Sequence, residues 1–369
     1  MRISGKRLGF GFDRFSGLYL LGLFILIFGI WEPHLFLTLG TVHSIASEQA
    51  VAALLGLAVV VPLATGAFDL SIGATANLSA VVVAILQSQQ HWSMWPAIAV
   101  ALLIGVLIGA VNGFIIVRLQ VNAFIATLGM ATIVGAVETI VSGNSQPQPP
   151  TSPAWADLTQ YQIFGFQAIF FYVIIIALIS WWFLERTPAG RYMYATGGNG
   201  VAARLSGVRV GGWTWLSLIF SGTVAGLAGV LFSSQSGPSL TFGAALLLPA
   251  YAAAFLGSTQ LRPGRFNVWG TVLAVFVLAT GVYGVQLITS VQWLNDMFNG
   301  VALIVAVSFA VWRQRRARAD PTPAQPAGSS AAGADPGPAD GGPPGSANGQ
   351  SPGLRGSPAG DNAAPGRAL

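Results

Sequence analysis

Cysteine is absent from the 369 residues, so disulfide staples, thiolate metal sites and cysteine nucleophiles are excluded together. Charge is scarce as well. Only 8% of the residues are Asp, Glu, Lys or Arg, against 53% hydrophobic, and the mean hydropathy is +0.66. A soluble chain carries about a quarter of its residues charged, so lipid must be the solvent for most of this one. Lysine occurs once, at Lys6. That removes the phosphate-loop pattern G-x-x-x-x-G-K-S/T, and with it ATP hydrolysis by this chain. His34, His43 and His91 are too scattered along the sequence to read as a metal cluster. No catalytic residue, metal ligand or cofactor site is expected.

What the sequence does contain is a succession of apolar runs that read as candidate crossings. They fall at about 17–31, 49–65, 72–87, 97–119, 123–142, 167–184, 213–232, 246–257, 266–288 and 293–312. The third and eighth are short or rich in small polar residues, and could be broken or re-entrant. The expected fold is an all-α integral membrane protein of about ten transmembrane helices. All 17 Lys and Arg residues then fall in the segments on one side of the membrane or in the two ends. The loops around 32–48, 88–96, 143–166, 233–244 and 289–292 carry none. By the positive-inside rule the basic side is cytoplasmic, which puts both termini there. The pI near 10 is therefore a topology signal and not a nucleic-acid patch. No small-x-small cleavage site directly follows Trp31, and we read the first helix as retained.

Residues 1–16 read as a cytoplasmic N-terminal segment, 17–312 as the transmembrane domain and 313–369 as a disordered cytoplasmic tail. Residues 320–369 hold 10 of the 21 prolines and two leucines. So little apolar surface cannot offset the entropy of ordering the segment.

Three stretches break the rules of a membrane helix. The first, 68–74, holds Asp69 between the second and third runs. A carboxylate at the bilayer centre costs about 2.5–3.5 kcal/mol, so Asp69 either caps the third helix or sits, with Asn77, beside a conducting cavity. The second includes Gly105, Gly109 and Gly113 on one face of the fourth helix, joined by Asn112. Four-residue glycine spacing is a close-packing signal. Beyond it lie the segment 124–130 and then Glu138, an intramembrane acid with no base within helical reach, which is either near the outer surface or uncharged. The third is the long inner loop, 186–212. Asn199 is placed to cap a short helix there, with Gly207 as its stop.

Together these stretches resemble the permease subunits of bacterial ABC importers for monosaccharides, of the ribose, xylose and arabinose type. That family's D-L-S-I/V-G-A segment is matched by 69–74, its N-G pair by Asn112 and Gly113, and its F-I-A-T-L-G-M segment by 124–130. The loop G-R-x-x-Y-A-x-G-G-N-x-x-A-A-R-L-S-G is met throughout 190–207. The resemblance covers about residues 15–312. It implies a multi-pass protein of the bacterial inner membrane, paired as a homodimer. Its partners would be a cytoplasmic ABC ATPase subunit, which uses the ATP, and an extracytoplasmic sugar-binding protein. Nucleic acid is not among them. Candidate path residues are Asp69, Asn77, Asn112, Phe124, Thr127, Glu138 and Gln235. Candidate ATPase-coupling residues are Arg191, Gly197, Gly198, Asn199, Ala203, Arg204, Leu205, Ser206 and Gly207. The sequence departs from the family at Val134, where an Arg is usual, and at 256–264, where a G-G-x-S-x-x-G-G stretch is usual. The sugar is therefore not specified. A permease of the same superfamily for branched-chain amino acids and an ion-coupled carrier are the alternative readings. The latter would need more buried ionisable groups than Asp69 and Glu138 provide.

Overall fold

The structure is a computed structural model. It describes residues 12–288 and, beyond them, 293, 294, 297, 298, 300, 301, 304, 305 and 308. The expected tail, the first 11 residues and much of the tenth run lie outside the described residues.

α1 (Phe12–Trp31) leads into two short helices, α2 (Pro33–Phe36) and α3 (Leu39–Glu48). α3 bends by 46° into α4 (Ala50–Ala64). α5 (Ile72–Ser88), α6 (Met94–Val117) and α7 (Ala123–Ser142) follow, α7 with the bounds read from the sequence. The next loop is more ordered than its prolines imply. Pro153 occupies the first turn of α8 (Pro153–Gln160), which Trp155 anchors in the interior. A hairpin comes next, with β1 (Gln162–Ile163) antiparallel to β2 (Phe166–Gln167) and Gln162 opposite Gln167. α9 (Ala168–Trp181) runs on into a π-helical turn at Trp182–Arg186. α10 (Pro188–Gly198), α11 (Gly200–Leu205), α12 (Val210–Ser236), α13 (Phe242–Ser258) and α14 (Val268–Ile288) complete the bundle.

Among the described residues, five helices are long and apolar enough to cross a membrane, and the count rises to six if the bent α3–α4 pair is one span. Gly17–Trp31, α5 and α13 are shorter apolar helices. Ala, Val and Leu surround α4 on every side, and all 15 of its residues are buried. A helix without a polar face belongs in the centre. α12, α13, α14, α9 and α5 pack around it, with α6 and α7 outside α5 and α1 against α14. Leu103 and Leu107 of α6, with Leu128, Ile133 and Ile140 of α7, point outward. Such a continuous apolar surface is stable only against lipid or another protein.

The glycine face of α6 packs as its spacing predicts. A Cβ at Gly105 would overlap the Gly222 carbonyl of α12, and one at Gly109 would overlap the Leu218 carbonyl. Gly113 lies under the Trp215 ring. Omitting these side chains lets the two backbones touch, the main attraction open to helices that gain nothing by hiding Leu from lipid.

α5 and α13 have 17 residues each, about 26 Å against a hydrocarbon core of about 30 Å. Both are continuous helices; the irregular backbone precedes each one, at 65–71 and 237–241. Gly243, at the start of α13, meets Gly73, while Gly229 of α12 meets Ala76. α13 thus begins level with Gly229, about two turns short of the end of α12, and 237–241 runs back into the bundle to reach it. Non-helical backbone at this depth is tolerated only where protein or a cavity surrounds it.

Candidate functional site

The inner junction, 65–71, is held by side chains from four helices. The Asp69 N–H donates to the Tyr251 hydroxyl of α13 at 2.9 Å. The Asp69 carboxylate accepts the Ser71 N–H at 3.1 Å and the Ser71 hydroxyl at 2.6 Å. This closes a local turn of the kind Asp side chains favour. Ser71 occupies the N-cap position of α5 without a side-chain cap bond, so the capping reading of Asp69 is replaced by this turn two residues earlier. Asn112 of α6 donates to Ser71 Oγ at 2.8 Å, and the Ser221 hydroxyl of α12 faces the Asp69 carboxyl. On the far side, Thr127 Oγ1 of α7 accepts the Leu70 N–H at 3.0 Å and donates to the Ala123 carbonyl at 2.8 Å. Asp69 is 1% exposed, and Asn112 and Thr127 are fully buried.

The second junction, 237–241, hangs on Asn77 of α5. Its Nδ2 donates to the Leu240 carbonyl at 2.7 Å, and its Oδ1 accepts the Gly243 N–H at 2.8 Å. One amide therefore satisfies both sides of the entry into α13. The Glu138 carboxyl of α7 faces the same Asn77 side chain and is 5% exposed. Gln146 Nε2 donates to the Pro238 carbonyl at 2.8 Å. Phe232 and Phe242 stack with centroids 3.7 Å apart across the turn.

The structure thus gathers Asp69, Asn112 and Thr127 at one junction, and Asn77 and Glu138 at the other. Gln235 lies farther along α12, donating to the Ser47 carbonyl at 3.0 Å and accepting from Gln160 at 3.0 Å. Phe124 is 51% exposed. Ser71, Ser221, Gln146 and Tyr251 were not singled out from the sequence. A lone tyrosine within apolar α13 was the available signal.

Beyond the inner junction lie α10 and α11. Asn199 Oδ1 accepts the Ala202 N–H at 3.0 Å, and Gly207 takes φ +83°, a left-handed stop that side chains oppose. The short capped helix expected at 200–205 is therefore present. Met193, Thr196 and Ala203 seat the element on the bundle. Arg191, Arg204, Ser206 and Gly207 face outward, with Leu205 85% exposed. Gly197 touches the backbone of Ala64, Thr65 and Gly66, so α10 rests directly on the inner junction. Burial pushes the Tyr194 hydroxyl up to about 12, which keeps it a neutral donor.

A family model described as the branched-chain amino acid transport system / permease component matches residues 41–307. The chain belongs to that permease family. The ribose import permease protein of Escherichia coli strain K12 is 31% identical over 277 residues, covering 74% of this chain and 86% of that protein. The autoinducer 2 import system permease protein of Enterobacter sp. strain 638 is 33% identical over 272 residues, covering 73% and 78%. No solved structure matches. Both junctions and the α10–α11 element lie inside the matched span of this multi-pass inner-membrane permease.

Proposed function

We propose that the chain is the membrane-spanning subunit of an ATP-driven importer for a monosaccharide or a related sugar. The solute is delivered by an extracytoplasmic binding protein, and two permease copies work with a separate cytoplasmic ATPase subunit. The chain crosses the membrane ten times with both ends in the cytoplasm, the arrangement that puts every Lys and Arg on the inner side. The coupling reading is carried by the α10–α11 element. A short helix, capped at both ends and seated by buried residues, turns Arg204 and Leu205 away from the bundle while Gly197 presses on the inner junction. A displacement imposed by the ATPase would reach the Asp69 network in one contact. The path reading rests on the two junctions, where buried polar side chains and irregular backbone meet at membrane depth. No cofactor is needed by this chain, since ATP is consumed by the partner.

The reading is tested by uptake in proteoliposomes holding the permease, its ATPase and its binding protein, supplied in turn with labelled ribose and labelled leucine. Sugar uptake is expected, and uptake of leucine alone would replace the sugar by a branched-chain amino acid. Arg204→Glu is expected to reduce ATPase co-purification and uptake together, since losing a docked charged contact costs about 2–5 kcal/mol. Full retention of both would move the docking element to another inner loop.

A further inference from the structure

The loop between α13 and α14, residues 259–267, is fastened at two points to the segment that carries the docking element. Glu185, in the π-helical turn ending α9, has a side chain only 6% exposed and accepts Arg262 Nη2 at 2.9 Å. It also accepts the Trp181 indole N–H at 2.9 Å. Among the described residues this is the one ion pair. On α10, Tyr194 donates its hydroxyl proton to the Phe266 carbonyl at 2.6 Å. The Arg265 guanidinium lies 3.8 Å over the Tyr194 ring, a cation–π contact. The loop is also closed on itself. Asn267 Nδ2 donates to the carbonyls of Gly257 and Gln260 at 3.0 and 3.1 Å, and its Oδ1 accepts the Gly270 N–H at 2.7 Å. One buried amide therefore joins the end of α13 to the start of α14.

The sequence marks this stretch as a departure from a family motif near the expected path or gate elements. We propose that residues 259–267 form a second arm of the coupling element. Fastened to α9 and α10, the arm carries a displacement of α10–α11 into α13 and α14, so that Glu185, Arg262, Tyr194 and Arg265 are positioning residues for transport. The proposal rests on α10–α11 being the ATPase-docking element. α13 bears Tyr251, whose hydroxyl holds the Asp69 N–H. The inner junction is thus gripped from both sides, through Gly197 on one and through the arm on the other. A π-helical turn is a common place for a helix to yield, and here the ion pair is placed on that turn.

The cysteine-free chain permits a test by removal and replacement of the link. Glu185→Cys/Arg262→Cys is assembled with the ATPase and the binding protein in liposomes. The ATPase should co-purify at the wild-type level and hydrolysis should persist, while solute imported per ATP falls by up to about fivefold, the scale of a charged contact whose arginine is half exposed. Joining the two cysteines with a short bifunctional thiol reagent should restore most of that ratio. Tyr194→Phe removes only the bond to Phe266 and should lower the same ratio by a smaller factor. The proposal is overturned if the unlinked pair imports with wild-type stoichiometry, or if linking abolishes import because the two segments must separate. Loss of ATPase co-purification in the unlinked pair would also overturn it, by making the loop part of the docking surface. Failure of the underlying reading shows elsewhere, as an Arg204→Glu complex that keeps its ATPase and its uptake.

Discussion

Replacing Gly197 by alanine adds one methyl group where α10 lies on the inner junction. That Cβ would overlap the Ala64 carbonyl oxygen and stand 3.0 Å from the Gly66 nitrogen and the Thr65 carbonyl carbon. Every one of these atoms is backbone, and Gly66 is itself held at φ +83°, so no side chain can rotate away. The end of α10 must lift, and overpacking of this kind costs about 1–3 kcal/mol. If the whole cost falls on the state in which α10 is seated, that state loses roughly 5- to 150-fold in population. Gly129, in the middle of α7, is the internal control, because nothing lies within 4 Å of its Cβ position. Alanine there gains helix propensity worth up to about 1 kcal/mol and should leave uptake unchanged. The assay is ATP-driven uptake in proteoliposomes, with ATPase co-purification measured on the same preparations. Gly197→Ala should lose uptake while keeping its partner. Normal uptake by Gly197→Ala, or equal damage from Gly129→Ala, would refute the idea that the contact beneath α10 transmits anything.

Tyr251→Phe removes the acceptor of the buried Asp69 N–H, a loss worth about 1–3 kcal/mol; thermal unfolding of the detergent-extracted protein should show a lowered midpoint. Single cysteines at Ser93 and Ser152 should react with an impermeant maleimide added outside intact cells, and one at Ser206 only after permeabilisation; labelling of Ser206→Cys from outside would reverse the topology. Deleting residues 320–369 should leave membrane levels and uptake close to those of the full chain, because their composition offers no apolar surface to bury; lost uptake at normal membrane levels would reveal a partner for the tail.

Features that a helix encodes in its own residues were legible in advance. α7 has the bounds its hydropathy sets, the Gly105, Gly109 and Gly113 face meets α12, and Asn199 and Gly207 delimit α11. What depended on a remote element was not. Asp69 before an apolar run looks like a cap, and only the presence of Tyr251, Asn112 and Thr127 around it shows a pinned loop. Hydropathy placed the eighth run at 246–257 because it cannot see that Asn77 draws the start of α13 down to Phe242. Phe124 and Thr127, three residues apart, belong to one side of α7 by helix periodicity, yet Phe124 in the first turn is 51% exposed while Thr127 is fully buried. α8 was hidden by its prolines, since the partner that makes it a helix is the bundle surface receiving Trp155.

The inner junction also dictates an order of assembly. Asp69 and Tyr251 are 182 residues apart, and at synthesis rates of about 5–20 residues per second the tyrosine emerges roughly 10–40 s after the aspartate. Throughout that interval the kinked backbone at 65–71 lacks the hydroxyl that will accept its N–H, and lipid offers no substitute. Until α13 arrives, the loop is held only by the partners on α6 and α7, short of one buried hydrogen bond. A fragment ending before α13 would then lack one fastening of this loop, and the junction is complete only when α13 has been made.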